Sequence, residues 1–166
     1  SWDGNILKSD STLNEIAKLK NGDLYNKQLL NQQTIESIRA SYMNEGFLNF
    51  NIESIIRPIV SENDMLDIQF IINENEVFSI NNIIITGNKK THENVIRREL
   101  NIFPGEKFNR NKLYESITDL WMLNFFSDVL PKVIPSSNNQ IDLEIEVSEK
   151  NIGTANFSMG YNQMHG

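Results

Sequence analysis

The chain has 166 residues, a formal net charge of −7 and no cysteine, with a pI near 4.8. That acidic balance argues against a nucleic-acid binder, whose phosphate affinity comes from clustered Lys and Arg, and disfavours adhesion to anionic lipid. Without cysteine there is no disulfide, thiolate nucleophile or Cys-based metal site, and no run of about 18 apolar residues offers a transmembrane helix.

Ser1-Trp2-Asp3 does not open a signal peptide, so the chain reads as a piece of something longer. Gly4-Asn5 makes the first turn with almost no strand before it, and the leading unit reads as beginning inside or just after its first strand. Ser11 or Thr12 caps a short helix carrying Leu13, Ile16, Ala17 and Leu19, which Asn21-Gly22-Asp23 ends. A longer helix is expected from about Lys27 to Glu45. Its apolar stripe is Leu30, Ile35, Ile38 and Tyr42, and Gly46 ends it so that Phe47 packs back. Two strands follow. Asn49–Val60 contains Pro58, which removes a ladder donor and marks a sheet edge. After the turn Ser61–Asp64, Leu66, Ile68, Phe70 and Ile72 alternate with Asp67, Gln69 and Ile71. The connector Asn73–Ser79 is too short for a free linker and reads as a restricted hinge.

The same order then returns. Ile80, Ile83 and Ile85 open a β-branched strand that Gly87-Asn88 stops. Thr91 as N-cap, Glu93 in the first turn, and Val95, Ile96 and Leu100 at helical spacing predict a short helix over 91–100. After Phe103-Pro104-Gly105, a helix starting near Asn109 has Leu113, Ile117, Leu120 and Trp121 as its buried stripe, and Phe125-Phe126 closes the packing. Val129–Ile134 contains Pro131, again an edge signature, and Ile141, Leu143, Ile145 and Val147 alternate with Asp142, Glu144 and Glu146.

Three anchors recur 83 positions apart: Gly4 with Gly87, Gly22 with Gly105, and Asn26 with Asn109. Later ones recur 75 apart, Asp67 with Asp142 and Glu74 with Glu149. Such recurrence makes the chain an α+β repeat of two β-α-α-β-β units, residues 1–77 and 78–150. In 151–166, Ala155, Phe157, Met159 and Tyr161 alternate with small or polar residues, as in one strand of a membrane β-barrel; a loose tail or an added sheet strand fits the same pattern.

Several stretches together resemble a known family. They are G-N-K-K-T-H-E-N-V-I-R-R-E-L from Gly87, P-G-E-K-F-N from Pro104, F-F-S-D-V from Phe125, I-D-L-E-I-E-V-S-E-K from Ile141 and G-T-A-N-F-S-M-G-Y from Gly153. They look like the last polypeptide-transport-associated (POTRA) domain of a bacterial outer-membrane-protein assembly factor of the BamA type, running into its first barrel strand. Gly22–Asn26 and Tyr42 with Gly46-Phe47 look like the preceding POTRA domain. The resemblance implies tandem domains, each a three-stranded mixed sheet covered by two antiparallel helices. It implies a periplasmic scaffold without catalytic residues, cofactor or metal. The implied partners are unfolded outer-membrane β-barrel proteins and accessory lipoproteins, with a membrane β-barrel in the parent chain and no nucleic acid. The POTRA modules of two-partner secretion translocators and of organellar import channels are the alternative. There are two departures. Asn124 stands where the family often has Gly before the double aromatic, and Pro104 stands where relatives have a carboxylate that supports accessory docking.

Candidate partner-binding residues come from two places. The edge strands present unpaired backbone groups, giving Ile52, Ile55, Arg57, Val129 and Val133; an edge blunted by proline against aggregation is the competing reading. Arg97 and Arg98 point about 100° apart on a helix and form no single clamp. One is expected to pair with Glu93 or near Glu106, either as a plain surface salt bridge or as a lock on the Phe103–Phe108 loop that shapes a docking surface. His92 and His165 are the only histidines and read as solvated rather than as a metal or acid-base pair, and Glu144, Glu146 and Glu149 read as a solvated strand face. No nucleophile elbow, phosphate loop or dinucleotide fingerprint is present.

Overall fold

The computed structural model describes residues 1–59 and 65–150. Its first unit runs β1 (Trp2–Asp3), α1 (Asp10–Ala17), α2 (Lys27–Leu29), a π-helical segment (Leu30–Ile35), α3 (Glu36–Met43), β2 (Asn51–Pro58) and β3 (Leu66–Asn73). The second runs β4 (Ser79–Thr86), α4 (Glu93–Arg97), α5 (Arg110–Met122), β5 (Phe126–Pro135) and β6 (Gln140–Glu149). Each unit closes a three-stranded mixed sheet, in the orders β1-β3-β2 and β4-β6-β5. The last strand of each unit lies in the centre, parallel to the first and antiparallel to the one before it. The expected β-α-α-β-β repeat is therefore present twice.

Each sheet buries one face under its helices. Leu13, Ile38, Tyr42, Phe70 and Ile72 lie in the first core, and Ile83, Ile96, Leu120, Phe126 and Leu143 in the second. The anchors that recur in the sequence do equivalent local work. Asn26 and Asn109 both cap helices, accepting from Gln28 N–H and Leu29 N–H in one unit and from Lys112 N–H in the other. Asn124, in place of the family's glycine, takes φ = 58°, the left-handed conformation that Asn tolerates best after Gly.

Several expectations are corrected. α4 spans five residues rather than ten, and its N-cap is His92 without a side-chain bond; Thr91 lies one residue outside it, with its N–H held by Glu149 at 2.6 Å. α1 is capped by Ser9, not by Ser11 or Thr12. Trp121, Phe125 and Leu19 are 41%, 44% and 38% exposed. On α5 the inward positions are Leu113, Ser116 and Leu120, because Ser116 Oγ accepts Asn101 N–H (2.8 Å) and donates to Lys112 O (2.7 Å). That small satisfied hydroxyl lets the chain after α4 lie against the helix and turns Trp121 outward.

The long helix differs in its winding. Its buried positions are Leu30, Thr34, Ile38 and Tyr42, with Ile35 only partly buried at the flank. A strict four-residue repeat drifts around a 3.6-residue α-helix, and the wider π turns over Leu30–Ile35 keep Leu30 and Thr34 in line with Ile38. Thr34 Oγ1 donates to Ala17 O at 3.2 Å, so its burial leaves no polar atom unpaired.

The junction between the units is bonded on several sides. Phe78 N–H donates to Gly46 O (2.8 Å) and Phe108 N–H to Phe78 O (2.9 Å). Asn109 Nδ2 donates to Asn44 O (2.8 Å) and Asn111 N–H to Asn44 Oδ1 (2.9 Å). Arg110 Nη1 reaches Glu36 Oε1 at 2.9 Å. Burial works against the Arg110 charge, yet its bonds to Tyr114 and Glu36 outweigh that and hold its pKa above the ordinary arginine value. Met43 and Leu48 of the first unit also pack against the second core. The expected turn at Ser61–Asp64, the end of the first edge strand at Val60, and the barrel-strand reading of 151–166 lie outside the described residues.

Candidate functional site: sheet edges and their closures

β2 and β5, the proline-bearing strands, each pair with a single neighbour and so form one edge of their sheets, with β1 and β4 at the other. The edge at β4 is closed. Ile80 N–H donates to Glu106 O (2.8 Å), Gly105 N–H donates to Ile80 O (2.7 Å), and Arg97 Nη2 donates to Ile83 O (3.0 Å). Arg97 also pairs with Glu93 at 2.7 Å. It therefore pins α4 to β4 and does not lock the Phe103–Phe108 loop, because α4 runs along this edge and carries the guanidinium over the strand carbonyl. Glu106 pairs instead with Lys112 at 3.0 Å, and Arg98 with its neighbour Glu99 at 3.1 Å. Exposed pairs of this kind are worth under about 1 kcal/mol each.

The remaining candidates divide by face. Ile52 and Val129 are 5% and 3% exposed and belong to the two cores, so only their backbone faces the edge. Ile55 and Arg57 lie on the open sheet face, opposite Gln69 and Asp67, and Val133 is 38% exposed at the far end of β5. Arg97 and Glu106 stand at β4, across the second sheet from Val129 and Val133. The eight candidates thus form separate surfaces, not one site. Of the stripe that sequence reasoning placed inside, Leu113 and Leu120 are buried, whereas Trp121, and Phe125 just beyond α5, are exposed together with Tyr114 and Met122.

Sequence reasoning also missed a carboxylate clasp at the end of each central strand. Glu74 Oε1 accepts from Ile6 N–H (2.7 Å), Leu7 N–H (2.8 Å) and the Tyr42 hydroxyl (2.9 Å). Glu149 Oε1 accepts from Lys90 N–H (2.9 Å) and Thr91 N–H (2.6 Å). The recurrence of the two glutamates was the available signal, but their donors lie tens of residues away and, the Tyr42 hydroxyl apart, are main-chain, so no motif reveals them. Burial, then the bond to Glu74, pushes the Tyr42 phenol well up. The Thr91 N–H, helped by Lys90, holds the Glu149 carboxyl below its ordinary value. A depressed carboxyl stabilises the fold fully above the unfolded value of about 4.3 and loses that contribution as pH falls through the folded value. Acid titration of the second unit is therefore expected to show a midpoint that moves in Glu149→Gln, and an unchanged acid limb in that variant would contradict the assignment.

Among the described residues no group of three or more His, Cys, Asp or Glu side chains is placed to hold a metal ion. His92 precedes α4, and His165 lies outside the described residues. No helix of the described residues is long and apolar enough to cross a membrane.

The sequence model of the POTRA family, described as a surface antigen variable number repeat, matches the chain twice, over residues 1–75 and 78–150. The outer membrane protein assembly factor BamA of Nitratidesulfovibrio vulgaris is 27% identical over 168 residues, covering 99% of this chain and 21% of the relative. A putative outer membrane protein assembly factor of Treponema pallidum is 28% identical over 158 residues, covering 95% and 18%. The chain thus spans about a fifth of the length of these relatives. Among solved structures, BamA of Haemophilus ducreyi lacking POTRA domains 1–3 superposes with a TM-score of 0.77 at 21% identity, over 91% of this chain and 28% of that one. POTRA domains 3–5 of Haemophilus influenzae BamA superpose with a TM-score of 0.73 at 18% identity, over 84% of this chain and 55% of that one. At such identities the two superpositions speak for the fold.

Proposed function

The chain belongs to the POTRA family, and from that premise we propose that it is the periplasmic scaffold region of a bacterial outer-membrane β-barrel assembly factor. Its task in this reading is to hold unfolded outer-membrane proteins and accessory subunits for insertion, by binding and without bond chemistry. The observation that carries the proposal is the head-to-tail pair of family matches, in a chain aligned over nearly its whole length with relatives named as assembly factors. In this reading residues 1–77 are the penultimate and 78–150 the final POTRA domain, and the alternation of Ala155, Phe157, Met159 and Tyr161 starts the barrel. The junction bonds around Asn44, Gly46 and Phe78 suit a scaffold that presents both units in one arrangement.

The test is direct. A denatured outer-membrane β-barrel protein, diluted from urea into the 166-residue chain, is expected to bind saturably and to aggregate more slowly by light scattering. A soluble protein kept unfolded by reduction and alkylation is expected to bind at least tenfold more weakly. Equal binding of the two, or no effect on aggregation, would defeat the proposal.

A further inference from the structure

Beside the short connector, two helix ends from different units meet. α3 of the first unit ends at Asn44, and α5 of the second begins after Asn109. A helix leaves its last carbonyls and its first amides without partners of its own. Here each end supplies what the other lacks. Asn109 Nδ2 donates to the Asn44 carbonyl at 2.8 Å, and Asn44 Oδ1 accepts Asn111 N–H at 2.9 Å. The negative end of one helix dipole thus meets the positive end of the other.

The repeat provides an internal comparison. Asn26 stands 83 positions before Asn109, and its Oδ1 accepts both early amides of its own helix, Gln28 N–H at 2.9 Å and Leu29 N–H at 3.1 Å. The equivalent pair in the second unit is Asn111 and Lys112. Asn109 Oδ1 takes Lys112 N–H at 2.9 Å, and the amide of Asn111 goes to Asn44 across the junction. In the first unit the cap residue serves both amides; in the second it shares them with the other unit.

From this exchange we infer that Asn44 and Asn109 form a reciprocal cap that latches the two units, so that swinging one about the connector uncaps α3 and α5 together. The inference goes beyond the holding of clients and does not depend on it. Four groups are satisfied at once in the closed arrangement: the Asn44 carbonyl, Asn44 Oδ1, Asn109 Nδ2 and the Asn111 amide. The other junction bonds differ in kind. Phe78 donates to Gly46 O and accepts from Phe108 N–H, so both bonds run through the connector residue and lie at the pivot. Arg110 pairs with the half-exposed Glu36, and such a pair holds weakly and is screened by salt. The cap consists of uncharged groups, which salt does not screen.

Asn109→Asp is the discriminating variant. Its carboxylate still accepts Lys112 N–H and caps α5, but it lacks the donor and sets negative charge against the Asn44 carbonyl. Asn26→Asp makes the same change at the cap that serves its own helix. The chain has no cysteine, so spin labels at Glu15→Cys on α1 and Ser137→Cys in the turn between β5 and β6 report the distance between the units. The parent chain and Asn26→Asp are expected to give one narrow distribution, unchanged by salt. Asn109→Asp is expected to give a broader one while both units keep native amide spectra. Asn44→Ala is expected to speed exchange of the Asn111 amide about tenfold, and by more than that of Lys112. A distribution in Asn109→Asp as narrow as the parent's, equal broadening in Asn26→Asp, or broadening of the parent by salt would overturn the latch, the last by handing its role to Arg110 and Glu36. An Asn111 amide indifferent to Asn44→Ala would overturn the cap.

Discussion

Replacing Gly87 by alanine is expected to unfold the second unit, or to cost it about 3 kcal/mol or more, whereas the same change at Gly105 costs about 1 kcal/mol. Both glycines have positive φ, 86° and 88°, and so carry the same conformational penalty with a side chain. They differ in surroundings. A Cβ on Gly87 falls less than 3.0 Å from the carbonyl oxygen of Val147 in the central strand, whereas one on Gly105 meets nothing within 4 Å. Because β4 and β6 are parallel neighbours, relieving that clash means moving one of them out of register. A unit of this size is expected to be stable by only roughly 4–11 kcal/mol, so the loss is a large share of the whole. Urea unfolding resolved by NMR separates the units. Gly4 repeats the arrangement against Ile72 O, so Gly4→Ala is expected to strike the first unit instead. A Gly87→Ala chain as stable as Gly105→Ala would show that the Gly87 turn does not depend on close backbone approach.

Glu74→Leu is expected to destabilise the first unit by about 3 kcal/mol, and Glu74→Gln by much less. Three donors converge on one carboxylate oxygen, and one belongs to Tyr42, whose side chain is fully buried. A buried hydroxyl without an acceptor costs about 1–3 kcal/mol, to which the two main-chain donors add. Gln keeps an acceptor oxygen and the shape. Tyr42→Phe alone removes one hydrogen bond and is expected to cost about 1 kcal/mol. In combination with Glu74→Leu it should cost less than the sum, because the orphaned hydroxyl is then absent. Strictly additive effects in chemical denaturation would mean that the two groups do not share a bond. Glu149→Leu is expected to have the smaller effect of the two glutamates, since no buried hydroxyl depends on it.

The two clasps show how far pattern reading reaches. The recurrence of Glu74 and Glu149 marked the repeat, and Glu149 was read as part of a solvated strand face; in the structure both accept main-chain N–H groups from the stretch after the first strand. The recurrence did not announce the difference between them, because the buried Tyr42 hydroxyl comes from a helix that has a different counterpart in the second unit. Arg97 is a similar case. Its pairing with Glu93 follows from four-residue spacing on one helix, but its bond to Ile83 O depends on where α4 crosses the edge of β4. Trp121 failed for a related reason. Hydrophobicity and helical spacing placed it inside, and the small hydroxyl of Ser116 took the inward position instead.

What the sequence determined by itself is whatever depends on neighbours a few residues apart. Strand alternation, glycines at left-handed turns, asparagine caps and prolines at edges all act locally, and their recurrence was enough to read two copies of one α+β unit. The tertiary structure alone decided which groups are paired and which are free. Asn26 and Asn109 recur as equivalent anchors, yet one serves both early amides of its own helix and the other leaves the first of its pair to Asn44, across the junction. That distinction is set where two segments are brought together, and neither segment carries it alone.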